Sequence, residues 1–177
     1  NTLRKVQETI KDDRRRKILQ NAIEHATAEA NGNYEALMAS CSRKRQSYMF
    51  WGATPGSVQH PVMSSYEELE KFYGGVIASG AWRIHFDVDK VVVGDDEIVM
   101  DGVIHQLYPT EIINATMPFK VDAKHRAYQM TKRLAVTFMF DEDGVSCGEH
   151  SYTNGPVVPG DFTPVPEEYV AKIFDAA

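Results

Sequence analysis

The stretch Trp82–Pro109 reads WRIHFDVDKVVVGDDEIVMDGVIHQLYP and predicts two strands that fold back on each other at residues 94–96. Residues two apart in a strand share a face, so alternation sorts the side chains into two sets. On the second strand, Asp101 and His105 share a side with three aliphatic residues, and His85 lies on the first strand. Such a mixed face is either a core with two costly polar groups or the wall of a pocket.

Composition limits the class of protein. The chain has 177 residues, of which 43% are hydrophobic and 25% charged, as expected of one globular domain. A net charge of −6 argues against nucleic acids and anionic membranes as partners. Cys41 and Cys147 are far apart and predict two reduced thiols. No membrane-spanning run or signal peptide is visible, so we expect a soluble cytoplasmic protein.

Helices are predicted mainly in the first half of the chain. Residues 2–29 repeat apolar side chains at helical spacing in two pieces, and Tyr34–Cys41 predicts a short helix. The segment Gln46–Trp51 predicts a strand. Ser65 and Glu68 form a capping box, which begins the clearest amphipathic helix of the chain.

The second half predicts antiparallel strands. An irregular stretch over Thr110–Lys124 precedes a long strand from Arg126 to Phe140, which turns and returns as Val145–Tyr152. A short helix follows at Glu167–Phe174. We therefore predict one α+β domain, in which three helices close a curved antiparallel sheet into a conical barrel. Residues 1–11 would be an N-terminal extension, and residues 153–177 a tail.

This order of elements, with the segments NGNYEALMA, YEELEKFYGGV and RLAVTFMFDEDGVSCGEHSY, resembles the nuclear transport factor 2-like (NTF2-like) superfamily. The superfamily includes SnoaL-like cyclases, ketosteroid isomerases, scytalone dehydratase and limonene epoxide hydrolase. Its fold hosts enzymes, binders and transport adaptors, so the resemblance predicts fold more strongly than reaction.

The resemblance to ketosteroid isomerases implies few shared catalytic residues. His25 falls where those enzymes carry an oxyanion-binding Tyr. Their catalytic base would fall near Met49 and their protonated acid near Val136, and neither segment contains a carboxylate. The steroid isomerase interpretation therefore loses most of its support.

The resemblance to scytalone dehydratase implies a partial match. Its catalytic His corresponds to His85, and its next strand carries the His-Gln-Leu run found here at residues 105–107. Its pocket Tyr lies near Tyr48. Its second catalytic His would fall near Thr110, and its early Tyr-Asp pair near Glu29; neither is preserved.

These residues favour a cofactor-independent lyase that eliminates water or releases a small aldehyde. We predict His85 as the base, with His105, Tyr48 or His25 polarising or protonating oxygen, and Asp101 beside His105. Only one of Glu149 and His150 can face inward. The predicted ligand is a small hydrophobic oxygenated molecule, bound by Glu29, Trp51, Phe72, Trp82, Tyr128, Phe138, Glu149 or His150.

Two other functions stay open: a SnoaL-like isomerase or cyclase that uses the same pocket, and a non-catalytic ligand-binding or dimerisation module. The six histidines lack HxH, HxxxH and HExxH spacing, so no metal site is predicted. His60 lies in a predicted loop, and His125 is expected at the surface. Sheet faces often pair in this fold, which suggests a homodimer or a higher homo-oligomer.

Overall fold

A computed structural model describes residues 2–52 and 62–174, so the loop with His60 lies outside the described residues. The helices are α1 Thr2–Thr9, α2 Asp13–Ala30, α3 Tyr34–Ala39, α4 Tyr66–Ala78, α5 Thr110–Thr116 and α6 Glu167–Phe174. The strands are β1 Ser47–Trp51, β2 Ile84–Val93, β3 Glu97–Pro109, β4 Ala127–Phe140, β5 Ser146–Thr153 and β6 Phe162–Pro164. They form one curved open sheet in the order β1-β5-β4-β3-β2, with β6 paired to β4. The predicted α+β fold is confirmed.

The local start signals act as the sequence predicts. The Asp12 side chain accepts a hydrogen bond from the Arg15 backbone N–H and begins α2, and Ser65 with Glu68 forms the capping box of α4. Two features differ from expectation. The strand β1 runs parallel to β5, and α5 forms where an irregular stretch was predicted. Burial of Ile113 against β4 and β6 stabilises α5, and this is a tertiary contact that local sequence does not reveal.

The hairpin of β2 and β3 pairs His85 with His105 and contains a bulge at Asp89. The bulge shifts the alternation by one residue. As a result Val91 joins Phe86 in the core, although an odd number of positions separates them. A Cβ atom at Gly102 would collide with the Asp87 carbonyl oxygen, so only glycine fits beside this bulge.

Three clusters of apolar side chains cover the concave face of the sheet. The first packs α1 and α2 against β2, β3 and β4, with Ile18 and Ile98 fully buried. The second joins the end of α2, α3 and α4 to β1 around Tyr48 and Tyr73. The third lies near α5 and β6. These contacts define the concave face as the inner face of the molecule.

The β4–β5 turn is held by a buried carboxylate, Asp141, which is 3% exposed. It accepts hydrogen bonds from the Ser42 hydroxyl at 2.6 Å and from the backbone N–H groups of Asp143 and Val145 at 2.9 and 3.0 Å. Burial alone would raise the pKa of Asp141, but these three donors outweigh it and keep the pKa below its ordinary value.

We expect Asp141→Ala to lower the free energy of unfolding by about 2–4 kcal/mol, because three donors, among them the buried Ser42 hydroxyl, lose their acceptor. Urea denaturation at pH 7 measures this loss. The matched control is Glu142→Ala in the same turn, whose exposed carboxylate pairs with Lys44 in solvent and should leave the stability nearly unchanged. Equal losses in the two variants would contradict the role given to Asp141.

Candidate active site

His85, predicted as the base, lies on the convex outer face of the sheet. Its side chain is 72% exposed, and its Nε2 atom lies 2.8 Å from Asp87 Oδ1. His105 shares this carboxylate, with Nε2 3.3 Å from Asp87 Oδ2. The neighbouring Ile84 and Phe86 point inward instead. The structure therefore does not bring the two histidines into the interior, and the expectation that they line a cavity is corrected.

Asp101 lies on the same outer face. Arg133 donates two hydrogen bonds to its carboxylate, at 2.5 and 3.1 Å, and a third to Asp89. The hydrogen bonds from Arg133 outweigh desolvation and lower the pKa of Asp101. Asp101 thus belongs to a surface ion-pair network and does not contact His105 in the predicted way.

Two predicted ligand contacts, Trp51 and His150, also lie on the outer face. Trp51 stacks on Tyr152 with ring centroids 6.1 Å apart, and His150 beside it bonds Ser47. Both follow the outward set of β1 and β5, since the inward set contains Tyr48 and Glu149.

Trp82 and Tyr128 are packing residues outside the second apolar cluster around Tyr48 and Tyr73. Trp82 packs over Gly32, with the Arg83 guanidinium 4.3 Å from its ring. Tyr128 belongs to the third apolar cluster, near β6.

His25 is the centre of a buried polar group on the inner face, and it is 0% exposed. Its Nδ1 lies 2.8 Å from Ser40 Oγ and its Nε2 lies 3.1 Å from the Tyr73 hydroxyl. Because Ser40 donates its proton to the Leu37 carbonyl, His25 Nδ1 carries a hydrogen and Nε2 accepts from Tyr73. Burial lowers the pKa of His25 to about 4, so the ring is neutral at pH 7.

Tyr48 lies beside this group and is fully buried. Its ring meets Tyr73 edge to face, with centroids 6.3 Å apart. Among the residues that the structure describes, its hydroxyl has no hydrogen-bond partner within bonding geometry. A buried hydroxyl without a partner is costly to the folded state.

Two carboxyl groups, Glu29 and Glu149, reach this region from opposite sides. Glu29 follows His25 by one turn of α2, and Glu149 on β5 lies between Tyr48 on β1 and Phe138 on β4. Burial, together with a smaller contribution from the charge of Glu149, raises the pKa of Glu29 to about 8. Burial also raises the pKa of Glu149. At neutral pH the pair therefore keeps at least one proton.

The rest of the site combines predicted and unpredicted residues. Phe138 packs edge to face against His25, with ring centroids 5.6 Å apart, and Phe72 packs against Tyr73, with ring centroids 5.2 Å apart. Ser40, Tyr73 and Ser151 were not predicted as site residues from the sequence. Tyr73 is part of the apolar stripe of α4, and only its contact with His25 distinguishes it from a packing residue.

Within residues 2–52 and 62–174, no group of three His, Cys, Asp or Glu side chains is arranged to hold a metal ion. No helix in these segments is long and apolar enough to cross a membrane. Cys41 and Cys147 are free and buried. Burial raises the pKa of the Cys41 thiol to about 12, so it is not an activated nucleophile. The chemistry of the site rests on its carboxyl, phenol and imidazole groups.

No family model matches the sequence, and no curated protein sequence matches it. Solved structures do. An NTF2-like protein from Anabaena variabilis superposes with a TM-score of 0.54 at 18% identity, covering 82% of this chain and 93% of that one. The chain has the NTF2-like fold.

Two further structures with the NTF2-like fold are similar to this chain. A Shewanella denitrificans protein described as a candidate SnoaL-like polyketide cyclase has a TM-score of 0.56 at 14% identity, covering 77% of this chain and 90% of that chain. A Mycobacterium tuberculosis protein in complex with estradiol-17β-hemisuccinate has a TM-score of 0.52 at 12% identity, covering 83% and 98%. At these identities the comparison establishes the fold, as the sequence predicted.

Proposed function

We propose that this protein is a cofactor-independent lyase that uses the carboxyl groups of Glu29 and Glu149 as an acid–base pair. The observation that supports this most strongly is the presence of two acids with raised pKa values beside buried phenols on the concave face. Two carboxyls whose proton affinities differ can supply an acid and a base at one pH. These groups replace His85 and His105, which lie on the outer face.

The elimination needs one base and one acid. The Glu149 carboxylate removes a proton from a carbon next to a carbonyl group, and the carbon–oxygen bond of a neighbouring hydroxyl breaks. The Glu29 carboxylic acid gives its proton to that hydroxyl, which leaves as water. Proton return from Glu149 to Glu29 through water restores both groups.

The walls of the site support a hydrophobic ligand with oxygen atoms. Phe72 and Phe138 supply apolar surface, and Tyr48 supplies a hydroxyl without a partner among the described residues. The Mycobacterium tuberculosis protein of the same fold binds a steroid ester. By analogy with that complex, the proposed ligand of this chain is a small, aromatic or polycyclic oxygenated molecule.

The Tyr48 hydroxyl, which has no hydrogen-bond partner among the described residues, favours a second candidate function, an isomerase or cyclase. A phenol and a protonated carboxyl can together stabilise the negative oxygen of an enolate while Glu149 moves the proton. Both candidate reactions begin with the same proton abstraction, and they differ in whether water leaves.

We expect the wild-type protein in D₂O to place deuterium next to the carbonyl group of hydrophobic ketones and β-hydroxy ketones. Proton NMR measures the loss of the carbon-bound proton, and mass spectrometry measures the loss of water. Loss of water supports the lyase, whereas exchange or rearrangement at constant mass supports the isomerase. Ligand binding with no exchange in any compound would contradict both and leave a binding protein.

The matched control is His85→Ala, because this residue was the predicted base and lies on the outer face. Its exchange rate is expected to stay within about twofold of wild type. A large loss of exchange in His85→Ala would contradict the role of the carboxyl pair and would support a reaction at His85 on the outer face.

A further inference from the structure

Ser151 is a buried residue that forms a hydrogen bond with Glu149, one member of the carboxyl pair. It lies two residues after Glu149 on β5, so both side chains face the concave side, and it is 6% exposed. Its hydroxyl donates a hydrogen bond of 2.5 Å to Glu149 Oε1. This length is typical of a hydroxyl that donates to an ionised carboxylate.

Glu29 differs from Glu149 in this respect. In residues 2–52 and 62–174, no side chain or backbone group donates a hydrogen bond to the carboxyl of Glu29, whose pKa is affected by burial and by the charge of Glu149. Both acids are partly buried, but among the described residues only Glu149 has a donor that favours its ionised form. When a single proton is shared between them, it is expected on the carboxyl that has no donor.

We propose, on the basis of the function proposed above, that Ser151 is the positioning residue that makes Glu149 the base and leaves Glu29 as the acid. It acts through Glu149 and does not touch the reacting atoms. The same hydrogen bond fixes one carboxylate oxygen, so the other oxygen of Glu149 is the one directed to the ligand.

The electrostatics of the pair agree with this geometry. Burial raises the pKa of Glu149, and the hydrogen bond from Ser151 opposes that rise. Burial and the charge of Glu149 both raise the pKa of Glu29 to about 8, and nothing opposes them there. Removal of the hydroxyl would take away the difference between the two groups.

The test is a carbon-13 NMR titration of the glutamate carboxyl groups in the wild type, Ser151→Ala and Ser151→Thr. In the wild type we expect Glu149 to ionise at lower pH than Glu29. In Ser151→Ala the proton affinity of Glu149 should increase about tenfold, because a hydrogen bond to an ionised group is lost. Ser151→Thr keeps a hydroxyl and should restore the wild-type order.

With a compound that undergoes exchange, the acidic limb of the pH profile of kcat/KM should move to higher pH in Ser151→Ala, by about one pH unit for the tenfold change in proton affinity. KM should change less than about twofold. Ser47→Ala, which removes a hydroxyl on the outer face, is the matched control and should shift neither titration. If Ser151→Ala does not fold, Ser151→Cys gives the same comparison with a weaker donor.

The outcomes separate the two proposals. If Glu149 titrates in Ser151→Ala as in the wild type, and Glu29 and Glu149 still ionise at different pH values, the role of Ser151 is overturned and the carboxyl pair is not. Titration of both acids near their ordinary value of 4.5 in the wild type overturns the proposed function itself.

Discussion

Replacing Glu149 with glutamine is expected to lower turnover by about 10²–10⁴-fold, the usual contribution of a positioned general base. Glutamine has nearly the same shape, and the Ser151 hydroxyl can still donate to its amide oxygen. An amide, however, cannot accept the substrate proton. We therefore expect the affinity for a bound ketone to change less than about threefold, and the loss to fall on kcat.

The measurement is the rate of deuterium exchange together with a ligand titration on the same variant. His150→Gln is the matched control, because His150 is the next residue on β5 and its side chain faces outward to Ser47. That variant should retain wild-type exchange. Full exchange in Glu149→Gln would exclude Glu149 as the base.

Replacing Glu29 with glutamine is expected to stabilise the protein at alkaline pH while it removes activity. The folded-state pKa of Glu29 is about 8, above the ordinary value of 4.5. Between these pH values the folded state holds a proton that the unfolded state has lost, so wild-type stability falls as pH rises through this window. Glutamine does not titrate, and the variant avoids this loss.

The expected gain at pH 8.5 is about 1–3 kcal/mol in the free energy of unfolding, because solvent screens part of the effect at a half-buried side chain. At about pH 3.5 the gain should nearly vanish, since wild-type Glu29 is then mostly protonated in both states. Urea denaturation at the two pH values measures the difference. Activity should fall at both, which is the trade-off expected where a site holds a destabilised group.

Glu24→Gln is the control for this second prediction, since Glu24 is an exposed residue of the same helix. It should change stability by less than about 0.5 kcal/mol at either pH. A Glu29→Gln gain that does not depend on pH would show that Glu29 is not a buried acid, and would contradict its role as proton donor.

Local patterns were sufficient to predict most of the fold. The capping box at Ser65 and Glu68 placed the start of α4, and alternation separated the faces of β3 and of β2 up to the bulge at Asp89. These signals depend on neighbours within a few residues, so the sequence contains them directly. The helix α5 was missed because its stability comes from the burial of Ile113 against distant strands.

The candidate site was predicted in part. His25, Tyr48, Glu29, Phe138 and Glu149 were selected from the sequence and lie on or beside the concave face. His85, His105 and Asp101 were selected for the same mixture of polar and aliphatic character and lie on the convex face. Alternation gives two sets of side chains but does not say which set is inside.

The sequence by itself determined the helices other than α5, the strand pairing of the hairpins and the strand faces up to the β2 bulge, since each depends on short-range periodicity. Only the tertiary structure decided which face is concave, because that depends on where α1, α2 and α4 pack. It also brought Glu29 on α2 near Glu149 on β5, although the two are far apart in the chain. Burial of two acids in one place is what raises their pKa values, and burial is a property of the folded chain.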